Sequence, residues 1–145
     1  FEKMDIDMIG MGPYVVHKDT PLGKDVINND LNTEEEKYKR FVLGLKMIAI
    51  TRLYLKDVNI AATTALQALN PLGRELGLKA GANILMPIIT IEEHRGKYQL
   101  YDNKPCIDDN AEECKACLTG RVSSIGDIVG YGEWGDSPHF KRKNF

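Results

Sequence analysis

The chain is poor in cysteine and nearly balanced in charge, and it has no long apolar run. Each shortage closes off a class of protein. Its three cysteines, an odd number in 145 residues, all fall between Cys106 and Cys117. A secreted disulfide scaffold needs more of them, in pairs, so a reducing, cytoplasmic setting is the expectation. Formal net charge is −2, from 19 basic and 21 acidic residues. That balance gives no general pull towards nucleic acid or an anionic membrane. No apolar run approaches the roughly 18–20 residues that span a bilayer. A secretory leader pattern is missing as well. The chain opens on Phe1, not Met, and enters an apolar stretch within a few residues, which suggests a piece of something longer.

What is present is ordinary for a globular domain, with 43% hydrophobic and 28% charged residues. This length can bury a fair core. Val58–Pro87, VNIAATTALQALNPLGRELGLKAGANILMP, reads as strand, turn, helix, strand. Before it, Asp5–Val16 is a largely apolar run broken by Gly10 and Gly12. Apolarity of that kind predicts a strand covered on both faces, as in a parallel sheet. The glycines serve either tight packing or the close approach of a ligand or another backbone. His17–Asn32 is a polar loop rich in turn residues, and His17 there is either exposed or turned to a ligand.

Thr33-Glu34-Glu35-Glu36 reads as a capping box, with Glu36 reaching back, and starts a helix running to about Tyr54. Tyr38, Phe41, Leu45 and Ile48 make its buried stripe. The second strand, Asn59–Thr64, ends in Thr63-Thr64. Those two hydroxyls can bond a ligand carboxylate or neighbouring backbone. Asn70-Pro71 opens the next helix and Gly81 closes it. Arg74 and Glu75 within it read as surface charges or an ion pair. Ala82–Pro87 is the third strand, with Met86-Pro87 at its end, and Thr90–Glu93 is a second capping box. Tyr98 and Tyr101 either pack or wall a pocket.

Cys106, Cys114 and Cys117 form C-x7-C-x2-C, one thiolate short of a four-cysteine zinc site. A metal or iron–sulfur cluster completed by another ligand and a merely buried set both remain open. Asp108, Asp109, Glu112 and Glu113 lie between them and oppose further negative charge. Asn110 caps a last helix to about Val129, with Leu118, Val122, Ile125 and Val129 as its stripe. A glycine-rich tail with Trp134 and the basic run Lys141-Arg142-Lys143 reads as loose and solvated.

The order βα-βα-βα predicts an α/β fold with three parallel strands, helices and a C-terminal helical cap. Three such strands do not close a barrel; they read as the C-terminal portion of a TIM-like (β/α)8 barrel. Residues 1–101 would be its last three units and 102–145 a cysteine-containing segment and tail. The open edges favour self-association.

Four blocks, MIGMGPYVVHKDTPL, LKMIAITRLYLKDVNIAATTAL, GRELGLKAGANILMP and KYQLY, occur here in an order and spacing that resemble the C-terminal part of HydE. HydE is the radical S-adenosylmethionine maturase of [FeFe]-hydrogenase, in the biotin-synthase-like group. The resemblance runs from about Asp5 to Cys117. It implies a parent enzyme in which a [4Fe–4S] cluster reduces S-adenosylmethionine, and the radical acts on an iron-bound cysteine species or another amino-acid-like substrate. It implies Met8 along the S-adenosylmethionine side of the cavity, and Tyr14 and Val15 in the barrel interior. Thr63 and Thr64 would bind the substrate carboxylate, and Met86, Tyr98 and Tyr101 would wall the cavity. Cys106, Cys114 and Cys117 resemble the family's optional second cluster site. Other maturation proteins are the implied partners. Ala61 and Ile88 stand where the family commonly carries Pro and Asn.

The C-x3-C-x2-C cluster loop of the family is absent from the chain, so the piece alone is expected to be inactive. A biotin synthase or methylornithine synthase relative is an alternative parent. A non-catalytic binding or assembly module is an alternative of another class.

Overall fold

Two parallel strands and the helices that follow them carry the molecule's core. The computed structural model describes residues 2–87, 90–97, 101 and 111–144. Strand β1 (Met8–Met11) pairs with β2 (Asn59–Ala62), Met8 opposite Asn59 and Met11 opposite Ala62. Between them run α1 (Pro21–Asn28) and α2 (Glu34–Tyr54). After β2 come α3 (Thr64–Leu69), α4 (Gly73–Lys79), α5 (Glu92–Arg95), α6 (Ala111–Ser124) and α7 (Pro138–Asn144). The third expected strand is reduced to one parallel bridge between Ile84 and Ala61. Ala62 N–H donates to the Ile84 carbonyl at 2.9 Å, and Ile84 N–H to the Ile60 carbonyl at 3.1 Å. The expected parallel direction is kept, while a sheet of three strands is not formed among the described residues. Pro87 has no N–H to extend a ladder.

Ile9, Phe41, Ile48, Val58, Ile60, Ala62, Leu66 and Ala82 form one buried cluster between the sheet and α2–α4. Ile9 of β1, and Ile60 and Ala62 of β2, face the helices, as the two-residue period of a strand requires. Small residues let the helices close in. A side chain on Gly77 would meet Leu66 and Ala62 at 2.9 and 3.1 Å.

Thr33 sits in the extended region before α2, and its Oγ1 accepts the Glu36 N–H at 3.3 Å. Half of the expected box is therefore made. The Glu36 carboxylate takes Lys39 Nζ at 2.8 Å instead of reaching back. Glu34, Glu35 and Glu36 all complement the positive end of the helix dipole. Phe41 and Ile48 are buried as expected, but Tyr38 is exposed and Gly44 and Thr51 share the buried face.

Other expectations are corrected. The polar stretch after β1 is not all loop, because Thr20 caps α1 through the Gly23 N–H and Pro21 starts it. Thr64 begins α3, a helix absent from the sequence reading. Asn70 Oδ1 accepts the Leu72 N–H at 2.9 Å, so it closes a turn just before α4. Ile91, with no side-chain bond, stands at the cap of α5 in place of Thr90. Helix α6 stops at Ser124, before Gly126 at φ 84°, so Val129 lies outside it. The tail carries α7, whose basic run is exposed as expected, although Arg142 and Lys143 also pair with carboxylates.

A polar network pins the N-terminal ends of the strands. Arg52 donates to the carbonyls of Gly81, Lys56 and Val58 at 2.8–2.9 Å and to Asn83 Oδ1 at 3.0 Å. Asn83 Nδ2 donates to Asn59 Oδ1 at 2.8 Å, and Asn59 Nδ2 to the Gly135 carbonyl at 2.8 Å. No helix of the described residues is long and apolar enough to cross a membrane.

Candidate functional site at the strand ends

The C-terminal ends of β1 and β2 meet at two threonines. Thr63 leaves β2 in the extended region and occupies the cap position of α3. Its Oγ1 donates to the Met11 carbonyl at 3.4 Å, which ties the two strand ends together. Gly12 makes this approach possible, since a Cβ there would lie 2.4 Å from Thr63 Oγ1. At Gly12 it is therefore tight packing, against the side chains of Thr63 and Ala65, that is realised, while Gly10 faces open space. Thr64 Oγ1 accepts the phenolic O–H of Tyr101 at 2.7 Å. A hydroxyl that accepts one bond still has its own hydrogen to give. Among the described residues no acceptor takes that hydrogen of Thr64, a donor beside a strand end, which is the chemistry a carboxylate needs.

Tyr14 follows β1, half-exposed, with the Arg40 guanidinium 5.9 Å from its ring centre. Arg40 also donates to the Tyr14 carbonyl at 3.4 Å, to the Leu31 carbonyl at 3.3 Å and to Asn32 Oδ1 at 3.2 Å. This one arginine, half-buried, holds the loop after β1 against α2, a role the sequence reading did not assign. Val15 is half-buried beside the buried Val16. Met86 is half-exposed, two residues past the Ile84 bridge. Met8 stands at the opposite end of β1, level with Asn59, so the structure does not bring it to the threonine pair. Tyr98, Ile88, Cys106 and Asn110 lie outside the described residues. His17 serves its own turn, its Nδ1 accepting the Asp19 N–H at 3.2 Å and its carbonyl the Thr20 hydroxyl at 2.9 Å.

Helix α6 carries the other two cysteines. Cys114 is buried and Cys117 is exposed, both as free thiols. Arg121 Nη1 donates to Glu75 Oε1 at 2.6 Å and to the Pro71 carbonyl at 3.0 Å, which joins α6 to α4. Burial works against the Arg121 charge. Hydrogen bonds to Cys117 and Glu75 outweigh it and hold the guanidinium above its ordinary range. Arg74 and Glu75 are not surface charges, being only 1% and 6% exposed. Among the described residues, no group of three or more His, Cys, Asp or Glu side chains gathers to hold a metal ion.

No family model matches the chain. It is 40% identical over 131 residues to the [FeFe] hydrogenase maturase subunit HydE of Thermotoga maritima, an alignment that takes in 90% of this chain and 34% of that protein. The chain thus spans about a third of the length of the curated relative it matches. Along nine-tenths of its own length it is similar in sequence to HydE, as its residue blocks imply.

Proposed function

We propose that the chain is the substrate-side wall of a radical S-adenosylmethionine enzyme resembling HydE, forming part of its TIM-like barrel. The whole enzyme would mature the active-site cluster of [FeFe]-hydrogenase in the cytoplasm, together with other maturation proteins. The observation that carries this reading is the pair of ties at the strand ends. Thr63 is fixed to Met11, and Thr64 is held by Tyr101 with a hydrogen left to donate. Ligands of parallel α/β folds sit at this end of the strands.

The substrate would be small and amino-acid-like, an iron-bound cysteine species. Its carboxylate would take the Thr64 hydroxyl, and the Thr63 hydroxyl once that gives up its bond to the Met11 carbonyl, and Tyr14, Val15, Met86, Tyr98 and Tyr101 would wall the cavity. Met8 would lie towards S-adenosylmethionine. The residues present do not fit the [4Fe–4S] cluster that splits S-adenosylmethionine, because the chain has no C-x3-C-x2-C loop. Radical formation therefore belongs to the rest of the enzyme. Cys106, Cys114 and Cys117 are proposed as an optional second cluster site, apart from the chemistry.

A hybrid in which this chain replaces the matching third of HydE tests the reading. Substrate-dependent formation of 5′-deoxyadenosine is expected. Thr64→Val should weaken substrate binding about tenfold, the weight of one hydrogen bond to a charged group. A well-folded hybrid indifferent to substrate, or to Thr64→Val, overturns it.

A second reading, a self-associating assembly module, is favoured by a second apolar stripe on α2. Leu43, Met47 and Ile50 are exposed on the helix, and β1 pairs on one side only among the described residues. Light scattering decides this reading, since a clean monomer at high concentration removes it.

A further inference from the structure

Among the described residues, a set of charged pairs docks helix α7 on the N-terminal ends of both strands. His139 Nδ1 lies 2.8 Å from Asp7 Oδ1, and its Nε2 lies 3.1 Å from Asp5 Oδ1. Lys143 Nζ sits 3.2 Å from both Asp5 and Asp7 and donates to the Asp5 carbonyl at 3.0 Å. Arg142 pairs with Asp57, just before β2, and the His139 N–H donates to the Asp57 carbonyl at 3.1 Å. Tyr54 and Lys56 line the adjoining cavity of about 370 Å³. Three carboxylates thus face two fixed cations and one imidazole.

The decisive geometry is at the imidazole. Both ring nitrogens face carboxylate oxygens, and a carboxylate can only accept. Both nitrogens must therefore donate, which only the imidazolium can do. A neutral ring has one N–H, so its other nitrogen would set a lone pair against a carboxylate oxygen. Loss of that proton also leaves three negative charges against two positive ones. The His139 side chain is only 14% exposed, whereas the Asp5 and Asp7 side chains are 67% and 37% exposed, so water reaches the carboxylates more than the ring.

We propose that α7 is a proton-gated strap, docked when His139 carries both ring protons and loosened when it loses one. Loosening would free the end of the molecule opposite the threonine pair, including the Gly135 carbonyl that holds Asn59.

Amide exchange of the 145-residue chain, corrected for intrinsic rates, tests the strap across the window of about pH 5 to 8 in which histidine changes charge. Protection of the α7 amides should fall about tenfold towards the alkaline side, as befits one charge-assisted bond. The β1 and β2 amides should hold their protection. Asp5→Asn should abolish the fall, because an amide can donate to the neutral ring. Asn also tolerates the positive φ of 50° at this position. Equal α7 protection at both ends of the window in the unaltered chain overturns the proposal. So does an Asp5→Asn chain that loses protection as the parent does.

Discussion

At Gly12, the hydrogen missing a side chain's place is what lets two strand ends touch. An added methyl would stand 2.4 Å from Thr63 Oγ1. Gly12→Ala should therefore displace Thr63 and destabilise the fold by about 1–3 kcal/mol, the usual cost of overpacking, as read by chemical denaturation. An unchanged midpoint would mean that the threonine tie is dispensable. The pair Glu75–Arg121 makes a second case. Glu75 is nearly buried and Arg121 is only 22% exposed on its side chain. Glu75→Gln would leave the guanidinium without its counter-charge, at a cost of about 2 kcal/mol after allowance for Arg121's partial exposure. Neutrality to that change would show that the pair contributes nothing. The sequence left Arg74 and Glu75 as surface charges or an ion pair, and Glu75 is in an ion pair, but a buried one. The partner of Glu75 came from α6, more than forty residues further on, and local spacing carries no sign of it. The threonine pair was legible because two hydroxyls at a strand end are a local feature.

Helix α2 was read nearly to the residue, since its acidic first turn and Thr33 cap are written in sequence order. Thr33→Ala removes the acceptor for the Glu36 N–H and should cost about 1 kcal/mol, measured as a lower melting temperature. No loss would mean that the dipole interaction with three glutamates suffices. Helix α1 carried an equally local signal, Thr20 followed by Pro21, but the surrounding turn residues masked it. The third strand was overread for the opposite reason. ANILMP has strand composition, yet whether a ladder runs on past one bridge depends on how the segment lies against β2, which composition cannot report. Ile48, fully buried where α2 meets the sheet, anchors the core. Ile48→Ala should lose about 2–4 kcal/mol, and a loss below about 1 would place the core elsewhere.

Over the whole molecule, polar ties divide the two ends of the sheet between different tasks. The N-terminal end is clamped by Arg52, Asn83, Asn59 and the charges of α7. The C-terminal end carries the threonines and the tyrosine. The hydrogen bond from His139 is the main cause that holds the Asp7 carboxyl below its ordinary range, and that from Arg142 does the same for Asp57. A carboxyl depressed in the folded state adds stability that is full above its unfolded value, about 3.9, and is lost as pH falls through the depressed value. The melting temperature should therefore drop below about pH 4, and Asp57→Asn should flatten part of the drop. A melting temperature constant through that range would rule out these pairs as contributors. The HydE-like blocks were legible as a family pattern, whereas the α7 docking, which joins residues more than 130 positions apart, was not.

The most direct test of the binding end is a titration of the isotope-labelled chain with L-cysteine, followed amide by amide. The account predicts weak, saturable shifts confined to Met11–Gly12, Thr63–Ala65 and Tyr101, and their loss in Thr64→Val. Shifts centred on the α7 end, or shifts unchanged by Thr64→Val, would contradict it.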